Sequence, residues 1–365
     1  MVKDQSNNKL YWSNQLEGSP DEQASNSDET SRSIYFRSAY EQSDDNQQQN
    51  ILRPKDLSDY IGQRRIVENL KIAIVSSKSR NESLDHILLH GPPGLGKTSL
   101  ASVIAGELGV GFKATSGPVL DKPGDLAAIL SSLDHGDVLF IDEIHRMNRV
   151  VEEILYSAME DFKIDIMVGN GPAARSVKIP LKPFTLIGAT TRTSLLTAPL
   201  RDRFGIVERF DFYPVDELLQ IVLRSANLLN LNIEKDAAKL ISKCSRGTPR
   251  ISNRILKRVR DFQIYLAKEA IDIETTEQML KRLDIDANGL DKMDREILLA
   301  IIEKFSGGPV GLDTIAASLS EASETIEEVY EPYLLQLGLL ARTPRGREAT
   351  EKCYQYFELK YSKSI

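Results

Sequence analysis

Residues 91–98 read G-P-P-G-L-G-K-T, an uninterrupted G-x-x-x-x-G-K-[ST] spacing. These residue types suit phosphate. Glycines such as Gly94 let backbone N–H groups approach phosphate oxygens, Lys97 reaches the terminal phosphates, and the Thr98 hydroxyl can ligate Mg²⁺. The apolar run Ile87, Leu88 and Leu89 precedes the loop and a helix-compatible stretch, 99–108, follows it, so nucleoside triphosphate binding is expected. Further on, the apolar run 138–141 ends in Asp142 and Glu143. Asp142 is suited to hold Mg²⁺ through water and Glu143 to polarise the attacking water, which extends the expectation from binding to hydrolysis. The apolar run 186–189 ends in Thr190, Thr191 and Arg192. It would set a hydroxyl beside the γ-phosphate if its strand neighbours the one ending at Asp142; Thr191 is the expected sensor, with Thr190 next in line. Arg201 and Arg203, in P-L-R-D-R-F-G, suggest contact in trans with a neighbour's γ-phosphate. Arg250, in G-T-P-R, opens a helix against its dipole, which favours a reach back to the nucleotide over a structural reason. Arg342, Arg345 and Arg347 stand together without an acid between them and suit phosphate contacts that read no base.

The elements that must position these groups follow from periodicity. From Ile51, strand and helix signals alternate, which predicts an α/β fold with a doubly wound parallel sheet. Helices are expected at 63–76, 125–133 and 150–160 and strands at 137–141 and 186–189. Segment 162–181 reads as a β-hairpin, two strand-like arms around a G-N-G-P turn. Beyond Tyr213 and Pro214 only helices are expected, at 216–229, 235–243, 249–268 and 275–283. The D-I-D-A-N-G run at 284–289 marks a boundary. Helices at 291–305, 312–319 and 324–337, followed by the arginine-bearing hairpin, have the order of a winged helix-turn-helix. The expected division is a tail at 1–50, an ATPase domain at 51–212 carrying the hairpin 162–181, a small all-α lid at 213–288 and a C-terminal winged helix at 289–365.

Composition bounds the setting. The tail is rich in Ser, Asn, Gln, Asp and Glu and reads as disordered, with Trp12 and Ile34, Tyr35 and Phe36 as a candidate docking motif. Its nine acidic and four basic side chains hold five of the chain's seven excess negative charges, so the rest is nearly neutral and compatible with a local basic patch on DNA. No apolar run is long enough to span a membrane, and the opening M-V-K-D-Q-S-N-N-K has no apolar signal core, so a cytoplasmic location is expected. Cys244 and Cys353 are too few for a disulfide framework, and His86, His90, His135 and His145 lack metal-site spacing.

These motifs together resemble the AAA+ ATPases, over about residue 52 to the end. The strings I-L-R-P-K-D-L-S-D-Y-I-G-Q, G-P-P-G-L-G-K-T-S-L-A, D-E-I-H-R, G-N-G-P-A-A-R-S, G-A-T-T-R, P-L-R-D-R-F-G, R-G-T-P-R-I-S-N-R and T-P-R-G-R are similar to those of the members that branch-migrate four-way DNA junctions. The resemblance implies a homohexameric ring using ATP and Mg²⁺ to move duplex DNA in recombination and repair. It further implies that Leu52 and Arg53 pack around adenine and ribose with Tyr60 and Ile61 nearby, and that Gly94, Lys97, Thr98 and Ser99 bind phosphates. Glu160, Asp161 and Phe162 are associated with nucleotide, Arg203 rather than Arg201 is the trans arginine finger, Tyr213 lies in the cleft, and Arg250 is the second sensor. The hairpin would dock a partner that targets the motor to junctions, and a junction-cleaving nuclease would be an indirect partner. Arg342 and Arg347 match DNA-contacting positions, whereas Ser323 stands where some relatives place an arginine. The competing class is an initiator-type or clamp-loader-type AAA+ switch that uses ATP mainly to assemble; clamp loaders carry a different C-terminal collar.

Overall fold

The computed structural model describes residues 51–168 and 175–361. The tail, with Trp12, Ile34, Tyr35 and Phe36, and the turn of the hairpin lie outside the described residues.

Helix α1 (Arg64–Arg80) buries Ile66, Val67, Leu70 and Ile74 and runs past the expected end at residue 76. Its last turn is polar and carries Lys78 and Arg80, which suit a helix C-terminus, and Asn81 closes it in the left-handed conformation. The next elements are β1 (Ile87–His90), α2 (Lys97–Leu108), β2 (Phe112–Ser116), α3 (Pro123–Ser131), β3 (Val138–Asp142) and α4 (Arg149–Asp161). Then come β4 (Lys163–Val168), β5 (Arg175–Pro180), β6 (Thr185–Thr190), the short helix α5 (Ala198–Arg201) and β7 (Ile206–Arg209). Among the described residues the main sheet has five parallel strands in the order β2-β3-β6-β1-β7.

Strand side chains alternate between two cores, as the period of two requires. Ile87, Leu89, Val138, Phe140, Ile187 and Ala189 face α1 and α2. Leu88, Leu139, Ile141 and Leu186 face α3 and α4. The three inner strands are the ones legible as apolar runs. The edge strands β2 and β7 are only partly buried and read F-K-A-T-S and I-V-E-R, so neither produced a signal. The arms β4 and β5 pair antiparallel from Lys163 opposite Pro180 to Val168 opposite Arg175, as the hairpin expectation requires.

Four helices follow: α6 (Val215–Leu228), α7 (Lys235–Lys243), α8 (Pro249–Tyr265) and α9 (Ile273–Arg282). They enclose Val222, Ile241, Ile255, Val259 and Leu280. The C-terminal part contains α10 (Lys292–Leu299), α11 (Leu312–Leu319) and α12 (Glu331–Gln336), the last preceded by a π-helical segment, Ile326–Tyr330. The wing is β8 (Leu340–Thr343) paired antiparallel with β9 (Gly346–Ala349). A final helix, α13 (Glu351–Tyr356), escaped the sequence reading because its polar string E-K-C-Y-Q-Y hides two inward residues, Cys353 and Tyr354. Both cysteines are free and buried. Arg246 ties the lid to this part: Nη2 donates to buried Asp294 at 2.9 Å and the guanidinium lies 5.1 Å from the Tyr333 ring centroid.

Candidate nucleotide site and wing

β6 lies between β1 and β3, so the C-terminal ends of all three are adjacent, with His90 in register with Thr190 and Ile141 with Gly188. The phosphate loop, Thr190 with Thr191, and Asp142 with Glu143 therefore meet at one edge, where open α/β sheets bind ligands. The condition attached to Thr191, that its strand neighbour the one ending at Asp142, is met.

The loop needs its glycines. Gly94 and Gly96 have φ of +80° and +99°, and a Cβ on Gly96 would lie 2.9 Å from the Tyr60 hydroxyl oxygen. Lys97 opens α2, and its ammonium donates to the carbonyls of Gly91 at 2.7 Å and Pro92 at 2.9 Å. Burial pushes its pKa down to about 8, opposed by the nearby charges of Glu143 and Asp142 and reinforced by Arg250. No side chain caps the first N–H groups of α2, and Thr98 and Ser99 sit half-buried in its first turn. A buried cation with neutral partners, uncapped amides and a hydroxyl make a donor set that fits ATP phosphates with Mg²⁺.

Glu143 stands just beyond β3 with φ of +45°, a conformation that a non-glycine residue rarely adopts. The Thr191 hydroxyl donates to its Oε2 at 3.3 Å. The same oxygen is 3.2 Å from His145 Nδ1, which also pairs with the Thr190 hydroxyl at 2.9 Å. Thr190 Oγ1 additionally accepts the Arg192 N–H at 2.9 Å. Of the two threonines, Thr191 turns its hydroxyl to the acid, while the buried Thr190 is engaged by His145. From sequence, His145 was noted only as lacking metal-site spacing. Its offset from Glu143 in D-E-I-H was the signal available.

The approach to the nucleotide is shared with the lid. The Arg250 N–H donates to the Gly94 carbonyl at 3.3 Å, which seats α8 on the phosphate loop. Tyr213 donates its hydroxyl to the Leu95 carbonyl at 3.2 Å and its N–H to Gly247 at 2.9 Å; burial pushes its phenol up to about 12. The Tyr60 hydroxyl donates to the Gly96 carbonyl at 3.4 Å. Arg224 on α6, which the sequence reading did not single out, donates to the Leu52 carbonyl at 2.9 Å. Arg53 and Ile61 are half-buried on the same segment.

Arg201 and Arg203 differ in environment. Arg201 is exposed, with only Asp202 at 4.0 Å among the described residues. Arg203 donates to the Pro199 carbonyl at 2.7 Å, pairs with Glu160 at 3.0 Å and lies 4.6 Å from the Tyr156 ring centroid. Glu160 therefore belongs to the surface that bears Arg203. Asp161 pairs with Lys163 at 2.9 Å, and Phe162 packs edge-on against Phe184.

On the wing the three arginines part company. Arg342 and Arg347 face each other across β8 and β9, and this like-charge pairing is offset by acids. Arg342 pairs with Glu327 at 2.9 Å, and Arg347, 12% exposed, pairs with buried Glu331 at 3.0 Å. Arg345 is exposed and has no ion pair among the described residues. Glu327 also receives Arg192 Nη2 at 2.8 Å, and Arg192 Nε lies 2.9 Å from Glu328. Arg192, the residue after Thr190 and Thr191, thus reaches the C-terminal part, a contact that sequence did not reveal. The Ser323 hydroxyl donates to Asp313 at 2.6 Å.

Three domain families match the chain: the Holliday junction DNA helicase RuvB P-loop domain over residues 52–210, the RuvB AAA lid domain over 213–286 and the RuvB C-terminal winged helix domain over 287–358. Among solved structures, the Thermotoga maritima RuvB Holliday junction branch migration motor is similar at 52% identity and a TM-score of 0.79, covering 86% of this chain and 100% of that one. A lysine-to-arginine variant of the same protein is 53% identical, with a TM-score of 0.79 and coverage of 85% and 99%.

Proposed function

From the premise that the chain belongs to the RuvB family of Holliday junction DNA helicases, we propose how its residues divide the work of an ATP-hydrolysing, DNA-acting branch migration motor. The division 51–212, 213–288 and 289–365 assigns hydrolysis, lid movement and DNA contact to successive domains. Lys97 and the N–H groups of the loop from Gly94 to Ser99 bind the phosphates. Thr98 and, through water, Asp142 would hold Mg²⁺, which when bound would offset the charge of the phosphates. Glu143 orients the attacking water and takes its proton, and Thr191 links that acid to the state of the γ-phosphate. Arg203 of a neighbouring copy stabilises the transferring phosphoryl group in trans, with Glu160 beside it. Arg250, seated on Gly94, turns phosphate loss into lid rotation. Leu52, Arg53, Tyr60, Ile61 and Tyr213 enclose the base and sugar.

The observation that carries this reading is the meeting of loop, acids and sensor at adjacent strand ends, with Thr191 3.3 Å from Glu143. The trans finger requires a ring, which we read as a homohexamer. The partner RuvA would dock on the hairpin 162–181, and RuvC would act indirectly. Arg345 and Arg342 would meet DNA phosphates, with Arg347 behind them bracing the wing. A DNA substrate and the absence of a helix long and apolar enough to cross a membrane among the described residues support a cytoplasmic location.

The test is a synthetic four-way junction mixed with the chain, RuvA, ATP and Mg²⁺. Strand exchange that needs all four is the expected result. ATP hydrolysis without any exchange would favour the assembly-switch alternative instead.

A further inference from the structure

Arg203 is not held by its ion pair alone. Its Nε is buried with no hydrogen-bond partner among the described residues, and the guanidinium lies over the face of Tyr156, an arrangement that the ring quadrupole favours. The ring is itself fixed. Tyr156 donates its hydroxyl to Glu152 Oε1 at 2.6 Å, one turn back on α4, where Glu152 is almost fully buried. The Thr197 hydroxyl donates to the same carboxylate oxygen and accepts the Leu200 N–H at 3.3 Å, capping α5, the turn that leads to Arg203. One buried carboxylate thus anchors both the platform under the guanidinium and the turn that bears it.

We propose that Tyr156, locked by Glu152 and Thr197, is the positioning residue of the arginine finger. The inference rests on the reading of Arg203 as a trans finger. Glu160, more than half exposed, is the partner that gives way when a neighbour's phosphate arrives, while the ring stays in place and limits the rotamers of the long side chain. An arginine aligned in advance stabilises charge that develops only in the transition state, so Tyr156 affects turnover and not substrate binding. Its effect appears in the neighbouring subunit's site.

The test uses the full chain with Y156F, Y156A and Y156L, the last filling the volume without a π face, and R203A as control. DNA-stimulated hydrolysis by Y156A and Y156L should lose about tenfold in kcat, the rate equivalent of one desolvated cation–π contact, with the KM for ATP within about twofold of wild type. Y156F, which keeps the ring, should retain at least about a third of wild-type kcat. Mixing Y156A with K97A, whose own site cannot bind phosphate but whose finger is intact, should restore turnover per Y156A site, which a general loss of structure would not allow. If R203A is inactive and Y156A and Y156L hydrolyse normally, or mixing fails to restore them, the positioning role is wrong. If R203A itself hydrolyses normally, the trans-finger reading falls with it.

Discussion

Lys97 carries its charge in a place that disfavours it. Burial lowers its pKa from 10.5 to about 8, and a bound phosphate reverses this because the opposite charge favours the ammonium form. The free protein therefore loses this proton as pH rises through about 8, whereas the nucleotide complex keeps it, so binding above pH 8 must take up a proton. In divalent-free buffer, ATP affinity should fall about twentyfold between about pH 7.5 and 9.5. Calorimetry in two buffers of different ionisation enthalpy should show uptake approaching one proton at the upper end. An affinity flat across that range would show that Lys97 does not meet the phosphates. Lys97, Asp142, Glu143 and Thr191 were all legible as candidates because each follows a recognisable apolar strand or glycine pattern. His145 and Tyr156 were not, since a histidine and a tyrosine in helical surroundings look the same whether or not a catalytic group lies above them.

At the scale of elements, the π-helical segment Ile326–Tyr330 presents Glu327 to Arg192 at the end of β6 and to Arg342 on the wing at the same time. The acid holds back a cation that the DNA reading needs. Glu327→Gln should therefore tighten duplex binding at low salt and steepen the dependence of log affinity on log salt by about one unit, the increment for one added phosphate contact. Fluorescence anisotropy across a salt series measures both; an unchanged slope would remove Arg342 from the DNA surface. The elements themselves were legible in proportion to their burial. β1, β3 and β6 are buried on both faces and read as apolar runs, whereas β2 and β7 have an open side and dilute their pattern with Lys, Thr, Glu and Arg. Helix ends moved by a turn where polar residues continued a helix past its apolar stripe, as at Arg80.

For the whole molecule, a finger acting in trans leaves each subunit with an incomplete site. Hydrolysis per subunit should rise steeply with protein concentration and level off once rings are complete, by an overall factor of about 10³ or more if the finger has its usual weight. Steady-state hydrolysis followed alongside mass by light scattering tests this. A rate per subunit independent of concentration, with mass increasing, would mean that the site is complete in one chain.

The amino-acid string by itself determined the phosphate loop, the two acids after β3, the threonine pair after β6, the order of the three domains and the family, because each is a matter of residue types at short spacing. Only the tertiary structure decided that β6 lies between β1 and β3, that Arg203 rests on Tyr156, and that Glu327 joins the end of β6 to the wing. Arg192 and Glu327 are 135 positions apart. Such pairings are set by how packed elements bring distant side chains together, and no local pattern of the chain encodes which distant charge an arginine will meet.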